Sequence, residues 1–138
     1  MKQKIRRLRI TTKGPGFTDI TETVRTFVSG SEIGIGLLTL FIPHTSASLL
    51  IQENADPDVL KDLADSFDRL APRGAAYRHT TEGADDMPAH IRAALTQTSL
   101  SLPIDEGTLV LGTWQAIYLF EHRDESHRRS VVLHLIGD

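Results

Sequence analysis

The chain has 138 residues, 15 Lys and Arg against 18 Asp and Glu for a formal charge of −3, and no cysteine. That length suits a single domain, 1–138, with one real core, and the lack of cysteine removes disulfides, thiolate nucleophiles and Cys-type zinc sites while fitting a reducing cytoplasm. The mild negative charge argues against general nucleic-acid binding, and no apolar run reaches membrane-spanning length or forms a signal-peptide core behind the basic N-terminus, so a soluble cytoplasmic protein with neither partner is expected.

In chain order, Lys2, Lys4, Arg6, Arg7 and Arg9 alternate loosely with Ile5, Leu8 and Ile10, which predicts a charged edge strand in preference to a nucleic-acid arm. After the break at Gly14, Pro15 and Gly16, Asp19 and Glu22 resemble a capping box opening a helix with Ile20, Val24, Phe27 and Val28 on its apolar stripe. Residues 34–42 form an unbroken apolar run that reads as a buried strand, with residues 46–52 as its hairpin partner. Asp56 and Pro57 give an N-cap acid and a proline at the first helical position, followed by Val59, Leu60, Leu63, Phe67 and Leu70 at helical spacing, and Pro72 and Gly74 stop that helix. A short helix is expected to begin at Pro88. Leu100, Leu102 and Ile104 alternate, Asp105, Glu106 and Gly107 supply a turn, and residues 109–111 return as a second strand. Strands over 117–120 and 131–136 flank a mixed-charge loop, 121–129, that reads as a solvated hairpin end. The sum is an α+β fold of antiparallel β-sheets packed as a sandwich, with about three helices.

Four places could carry chemistry. The segment 79–90 gathers His79, Glu82, Asp85, Asp86 and His90 almost without core-forming side chains. Carboxylates that close persist either because the segment is a solvated turn or because a cation or bound ligand neutralises them. Residues 43–46, with His44, Thr45 and Ser46 between two apolar strands, are a possible acid or ligand group or simply a turn whose hydroxyls satisfy the backbone. Gly112, Thr113, Trp114 and Gln115 place a glycine, the single tryptophan and an amide together, with core packing the plain reading for Trp114. Arg128 and Arg129 could clamp a phosphate, whereas His134, between Val132 and Ile136, reads as a satisfied core or interface histidine. Phosphate-loop, dinucleotide, nucleophile-elbow and zinc-helix motifs are absent, but a zinc site from dispersed His44, His79 and His90 would suit a metal-dependent hydrolase.

The run from His44 to Ser48, the stretch Glu53, Asn54, Ala55, Asp56 and Pro57, residues 77–90 and residues 99–115 ending in Gly112, Thr113, Trp114 and Gln115 together resemble the YjbQ family over nearly the whole chain. The resemblance implies a compact α+β subunit that assembles as a homotrimer with polar clefts near its boundaries. It also implies secondary thiamine-phosphate synthase activity, in which hydroxymethylpyrimidine diphosphate and thiazole phosphate are joined with loss of diphosphate and with Mg²⁺. The shared polar positions fall on His44, Thr45, Ser46, Asn54, Asp56, His79, Glu82, Asp86, His90, Thr113, Trp114, Gln115 and Arg129, and the loop 123–127 departs from the shorter turn of relatives. On that reading His44, His79, Glu82, Asp86 and His90 are catalytic, and Glu82, Asp85 or Asp86 hold Mg²⁺, with Zn²⁺ as the alternative ion. Thr45, Ser46, Asn54, Thr113, Trp114, Gln115 and Arg129 bind the phosphorylated metabolite. A trimer that binds a phosphorylated metabolite or metal without turnover is the competing expectation.

Overall fold

The computed structural model describes Met1 to Asp138. Its order is β1 (Lys2–Thr11), β2 (Gly16–Asp19), α1 (Thr21–Ser29), β3 (Gly36–Phe41), β4 (Ala47–Glu53), α2 (Pro57–Leu70), α3 (Asp86–Leu95), β5 (Ser99–Asp105), β6 (Thr108–Leu109), β7 (Gln115–Glu121) and β8 (Arg128–Gly137). All pairings are antiparallel, in a five-stranded sheet of order β1-β8-β3-β5-β6 and a three-stranded sheet of order β2-β7-β4. The α+β sandwich with three helices is thus the fold observed. No helix is long and apolar enough to cross a membrane.

Alternation along the strands builds the core. Leu38 and Leu40 of β3, Leu100 and Leu102 of β5 and Val131, Leu133 and Leu135 of β8 face Leu49 of β4 and Ile117 and Leu119 of β7, while Val24 and Val28 of α1 close one end. β1 lies at the sheet edge, and its cations stay exposed there, which discourages pairing with another strand. The β5–β6 turn puts Glu106 and Gly107 at positive φ (47° and 73°), the double left-handed bend that two-residue hairpins need. On the other face of the three-stranded sheet, Phe67 of α2 meets Phe120 edge-on at 5.2 Å, and Phe17 stacks on Phe120 at 4.2 Å.

Several local expectations are corrected. β3 and β4 are not a hairpin: β4 pairs with β7 in the opposite sheet, because residues 43–46 carry the chain across the core. Residues 122–127 are another such crossing, from β7 to β8, and their flanks are not solvated: Glu121 is 0% and Arg129 5% exposed. β8 starts at Arg128, earlier than apolarity alone suggests, because Arg129 is buried through its ion pair. Asp19 does act at the start of α1, its carboxylate accepting from the N–H and hydroxyl of Thr21, but Glu22 makes no reciprocal bond and instead approaches Arg25. α3 begins at Asp86, two residues before Pro88. β2 has no sequence signal strong enough to announce it; it exists because β7 offers it an edge.

The two crossings are tied together. Arg129 donates through Nε to Glu121 Oε1 (2.8 Å) and through Nη2 to the other Glu121 oxygen and to Ser46 Oγ (3.0 Å), while Thr12 and the N–H groups of His122 and Arg123 also donate to Glu121. The carboxylate is therefore fully hydrogen-bonded, which makes its burial tolerable. Replacing Arg129 alone by Met should cost about 3–5 kcal/mol in urea unfolding, and adding Glu121→Leu should restore most of it. A loss below about 1 kcal/mol in the single variant would show that this pair does not hold the joints.

Candidate functional site

The crossings carry the third polar segment with them. Between α2 and α3 the chain turns at Gly83, whose φ of +108° and close approach (an added Cβ would lie 2.9 Å from Asp85 Oδ1) require glycine. Arg123, from the β7–β8 crossing, reaches over this turn. Its Nε donates to Asp85 Oδ2 (2.8 Å), its Nη1 to Asp86 Oδ1 (2.8 Å) and its Nη2 to the Glu82 carbonyl (3.0 Å), and the Asp124 N–H adds a further bond to Asp85 (2.9 Å).

Asp86 is only 3% exposed. Its second oxygen, Oδ2, lies 2.6 Å from His79 Nε2 and 3.0 Å from His90 Nε2, the latter one helical turn away on α3. His90 Nδ1 lies 3.0 Å from the Thr45 carbonyl. A carbonyl only accepts, so Nδ1 carries a proton, and the neutral ring then turns its Nε2 lone pair toward a carboxylate oxygen. Only a proton or a cation is compatible with that approach. Burial acts to raise the Asp86 carboxyl, but the bond from His79 and the charges of His90 and Arg123 outweigh it and hold the group below the usual carboxylate range. Asp85 behaves alike: burial opposes ionisation, yet Arg123 and the Asp124 N–H hold it at about 2.

His44 sits apart from this trio. Its Nε2 accepts from the Ser130 N–H (2.9 Å), so that nitrogen is occupied and the proton is on Nδ1; burial first, then Arg129, lowers its pKa and keeps the ring neutral. It lines a cleft of about 410 Å³ with Phe41, Thr45, Ser46, Thr98 and Arg129, next to the His90 side of the trio. On the other side, Tyr77, His79, Gly83 and Met87 line a smaller cleft of about 230 Å³.

The expected site residues divide into two groups. His44, Thr45, Ser46, His79, Asp85, Asp86, His90 and Arg129 gather around the crossings, with Glu82 beside them, exposed and free of any internal ion pair or side-chain hydrogen bond. Asn54, Thr113, Trp114 and Gln115 lie elsewhere. The register runs from Ala47 opposite Glu121 to Glu53 opposite Gln115, which puts the two groups about 20 Å apart along the sheet. There the Asn54 N–H donates to the Trp114 carbonyl, Gln115 Oε1 accepts from the Gly112 N–H, and Trp114 is 63% exposed, not packed in the core. Asp56 caps α2 through the Asp58 N–H. His134 is half-buried, and its Nε2 lies 3.0 Å from Gln3 Oε1 of β1, so the ring has a partner within the chain. Arg123, Glu121 and His122 escaped sequence reading because they sit in a mixed-charge loop; the only available signal was the excess of charge between two strongly apolar strands.

A family model described as UPF0047 protein YjbQ-like matches residues 6–138. The chain belongs to the YjbQ (UPF0047) family. It is 53% identical over 132 residues to UPF0047 protein sll1880 of Synechocystis sp., covering 95% of this chain and 90% of that protein. Among solved structures, a YjbQ/UPF0047 protein of Clostridium acetobutylicum is 37% identical with a TM-score of 0.86, covering 94% of this chain and 98% of that one. A YbjQ-like protein of unknown function from Sulfolobus solfataricus P2, at 23% identity, shares the fold with a TM-score of 0.88 over 99% of this chain and all of its own. The YjbQ fold is therefore retained where sequence similarity is low.

The Asp85 shift has a pH consequence. Its folded pKa lies below the ordinary 3.8, so it contributes about 2 kcal/mol of stability that is present above about pH 4 and lost as the pH falls toward 2. Asp85→Asn should flatten stability over that window in acid titrations of the unfolding midpoint; an unchanged slope would remove Arg123 as the clamp of this turn.

Proposed function

We propose that this YjbQ protein is a small-molecule enzyme whose reacting centre is a divalent metal ion held by His79, Asp86 and His90. The observation that carries this reading is the convergence of three ligand-type atoms within 4.8 Å, two imidazole nitrogens and one carboxylate oxygen. Two histidines with one carboxylate suit Zn²⁺ or a similar transition ion better than Mg²⁺, which prefers oxygen ligands. The surroundings fit as well. Metal-binding histidines usually donate their other N–H to a carbonyl, as His90 does to Thr45, and ligating carboxylates are themselves hydrogen-bonded, as Asp86 is by Arg123.

Such an ion supplies Lewis acidity when bound, which suits hydrolytic chemistry. Around it, Arg123 fixes the angle of Asp86, and His79, with a side chain 40% exposed, has a second ring nitrogen free to exchange protons with the smaller cleft. The synthase chemistry implied by the family resemblance, with Mg²⁺ on Glu82, Asp85 and Asp86, has less support: Arg123 engages both aspartates, leaving Glu82 as the one unpaired carboxylate of the three.

The same reading includes assembly as a homotrimer in the cytoplasm. Its support is the outer face of the five-stranded sheet, where Ile5, Leu37 and Phe41 stay 65%, 44% and 46% exposed beside Val132 and Ile136. Phe41 also borders the larger cleft, so a second copy on this face would wall it. Light scattering should give a trimer for the native protein and a smaller species for Phe41→Glu; a native monomer would end this part of the proposal.

Elemental analysis and zinc titration test the centre. About one ion per chain is expected, with His79→Ala and His90→Ala each losing more affinity than the roughly 10–100-fold typical of an outer-shell change. Zinc should also raise the melting temperature of the native protein and not of the His79→Ala, His90→Ala double variant. Equal uptake by native and double-variant protein would overturn the assignment. Uptake without turnover of any phosphate ester or anhydride would leave a binding protein, not an enzyme.

A further inference from the structure

We propose that Asp124 is a positioning residue for the metal centre: it latches residues 73–85 into a loop that carries His79, and this loop opens for the ion to enter or leave. The inference adds control of metal exchange to the metal reading and rests on it.

The three ligands are mounted differently. Asp86 and His90 belong to α3, where Arg123 and the Thr45 carbonyl hold them. His79 has no such support. Residues 72–84 are exposed except for the half-buried Tyr77. Within them, the Tyr77 N–H donates to the Ala75 carbonyl (2.8 Å) and the Tyr77 hydroxyl to the Pro72 carbonyl at the root (2.7 Å). From Ala75 to Thr81 the one hydrogen bond to the rest of the protein is that between His79 Nε2 and Asp86 Oδ2. Between this segment and Met87 of α3 lies open space, the cleft of about 230 Å³, where packed side chains would otherwise hold it down. Two left-handed glycines bracket the segment: Gly74 at φ +75°, where an added Cβ would meet nothing within 4 Å, and Gly83 at φ +108°.

Asp124 ties both ends. Its carboxylate accepts from both terminal nitrogens of Arg73, next to Gly74, and its N–H donates to Asp85 Oδ2 (2.9 Å), beyond Gly83. Asp124 is itself firmly seated, since a Cβ added at Gly14 would lie 2.9 Å from its carbonyl oxygen. Residues 73–85 are therefore a closed loop on a fixed post. The Arg73 tie is the weaker one: its side chains are 49% and 43% exposed, against 20% and 12% for the Arg123–Asp85 pair that secures the other end. Opening thus means release of Arg73, with Gly83 as the pivot.

Entry of an ion demands such a movement. In the closed loop His79 Nε2 lies 2.6 Å from Asp86 Oδ2. Ligand atoms on a tetrahedral zinc ion stand about 3.3 Å apart, so one of the two must withdraw by about 0.7 Å. Asp86 is 3% exposed and pinned by Arg123, which leaves His79, on the loop, as the ligand that moves.

The test is stopped-flow measurement of zinc entry into the metal-free full chain and of zinc release to a chromogenic chelator. Asp124→Ala should speed both entry and release by about fivefold, the most an exposed ion pair supports, and so leave Kd within about twofold. Arg73→Met should do the same, with no further gain in the double variant. Asp124→Glu, which keeps the carboxylate, should restore both rates to within about twofold of native. In metal-free Asp124→Ala, amide hydrogen exchange should rise by a similar factor over residues 75–81 and not in α3. Unchanged rates overturn the proposal. Faster release with unchanged entry also overturns it, because the pair would then merely support the bound geometry, and so does exchange that rises equally in α3, which is general loosening. Native protein that takes up no zinc overturns the metal reading and this one together, whereas zinc uptake with equal rates in native and variant protein overturns this one alone.

Discussion

The Glu121–Arg129 pair joins two of the places where the chain leaves one sheet for the other, β3 to β4 and β7 to β8. Each crossing strips backbone groups of ladder partners at the rim of a dry core, and those groups need other partners. Glu121 accepts from the N–H groups of His122 and Arg123, and Arg129 donates to the carbonyl and hydroxyl of Ser46 in the other crossing. One ion pair thereby closes both joints. Its burial would be costly for bare charges, and it is sustained because every oxygen of the carboxylate is hydrogen-bonded.

Everything in the candidate site hangs from these joints. Arg123 follows Glu121 by two residues, so fixing the carboxylate also fixes the root of the guanidinium that holds Asp85 and Asp86. Ser46 follows Thr45, whose carbonyl sets the tautomer of His90, and Ser130 follows Arg129 and sets that of His44. The turn 79–85, which has little packing of its own, is thus ordered by partners from elsewhere in the chain. Such a site is preorganised: its orienting groups are already hydrogen-bonded, so little rearrangement accompanies ligand binding.

The neighbouring buried residues show how finely this end of the sheet is partitioned. His122, 2% exposed, approaches Ser48 Oγ through Nε2 (2.9 Å), and burial together with Arg92 drives its pKa to about 3, so it stays neutral and structural. Four histidines within a small region therefore have three surroundings: His122 neutral in the core, His44 neutral at a cleft wall, and His79 and His90 paired to a carboxylate. Surroundings, not residue type, separate them.

The sequence by itself determined the local elements and their kinds. Two-residue alternation in β5 and β8, the Asp56–Pro57 helix start, the turn at Glu106 and Gly107 and the charged edge strand are all set by short-range sterics and side-chain placement. The motifs around His44, 79–90 and 112–115 also sufficed to indicate the family. Tertiary structure alone decided which strands share a sheet, because apolar strands such as β3 and β4 carry no local mark of their partner, and a tight joint can close a hairpin or cross a core equally well. It also decided which charges are buried. Glu121, Arg123 and Arg129 lie in a segment whose composition matches a solvated loop, and only long-range packing brings Ser46, Asp85 and Asp86 to them; likewise β-sheet register, not sequence proximity, holds Trp114 and Gln115 away from the histidines.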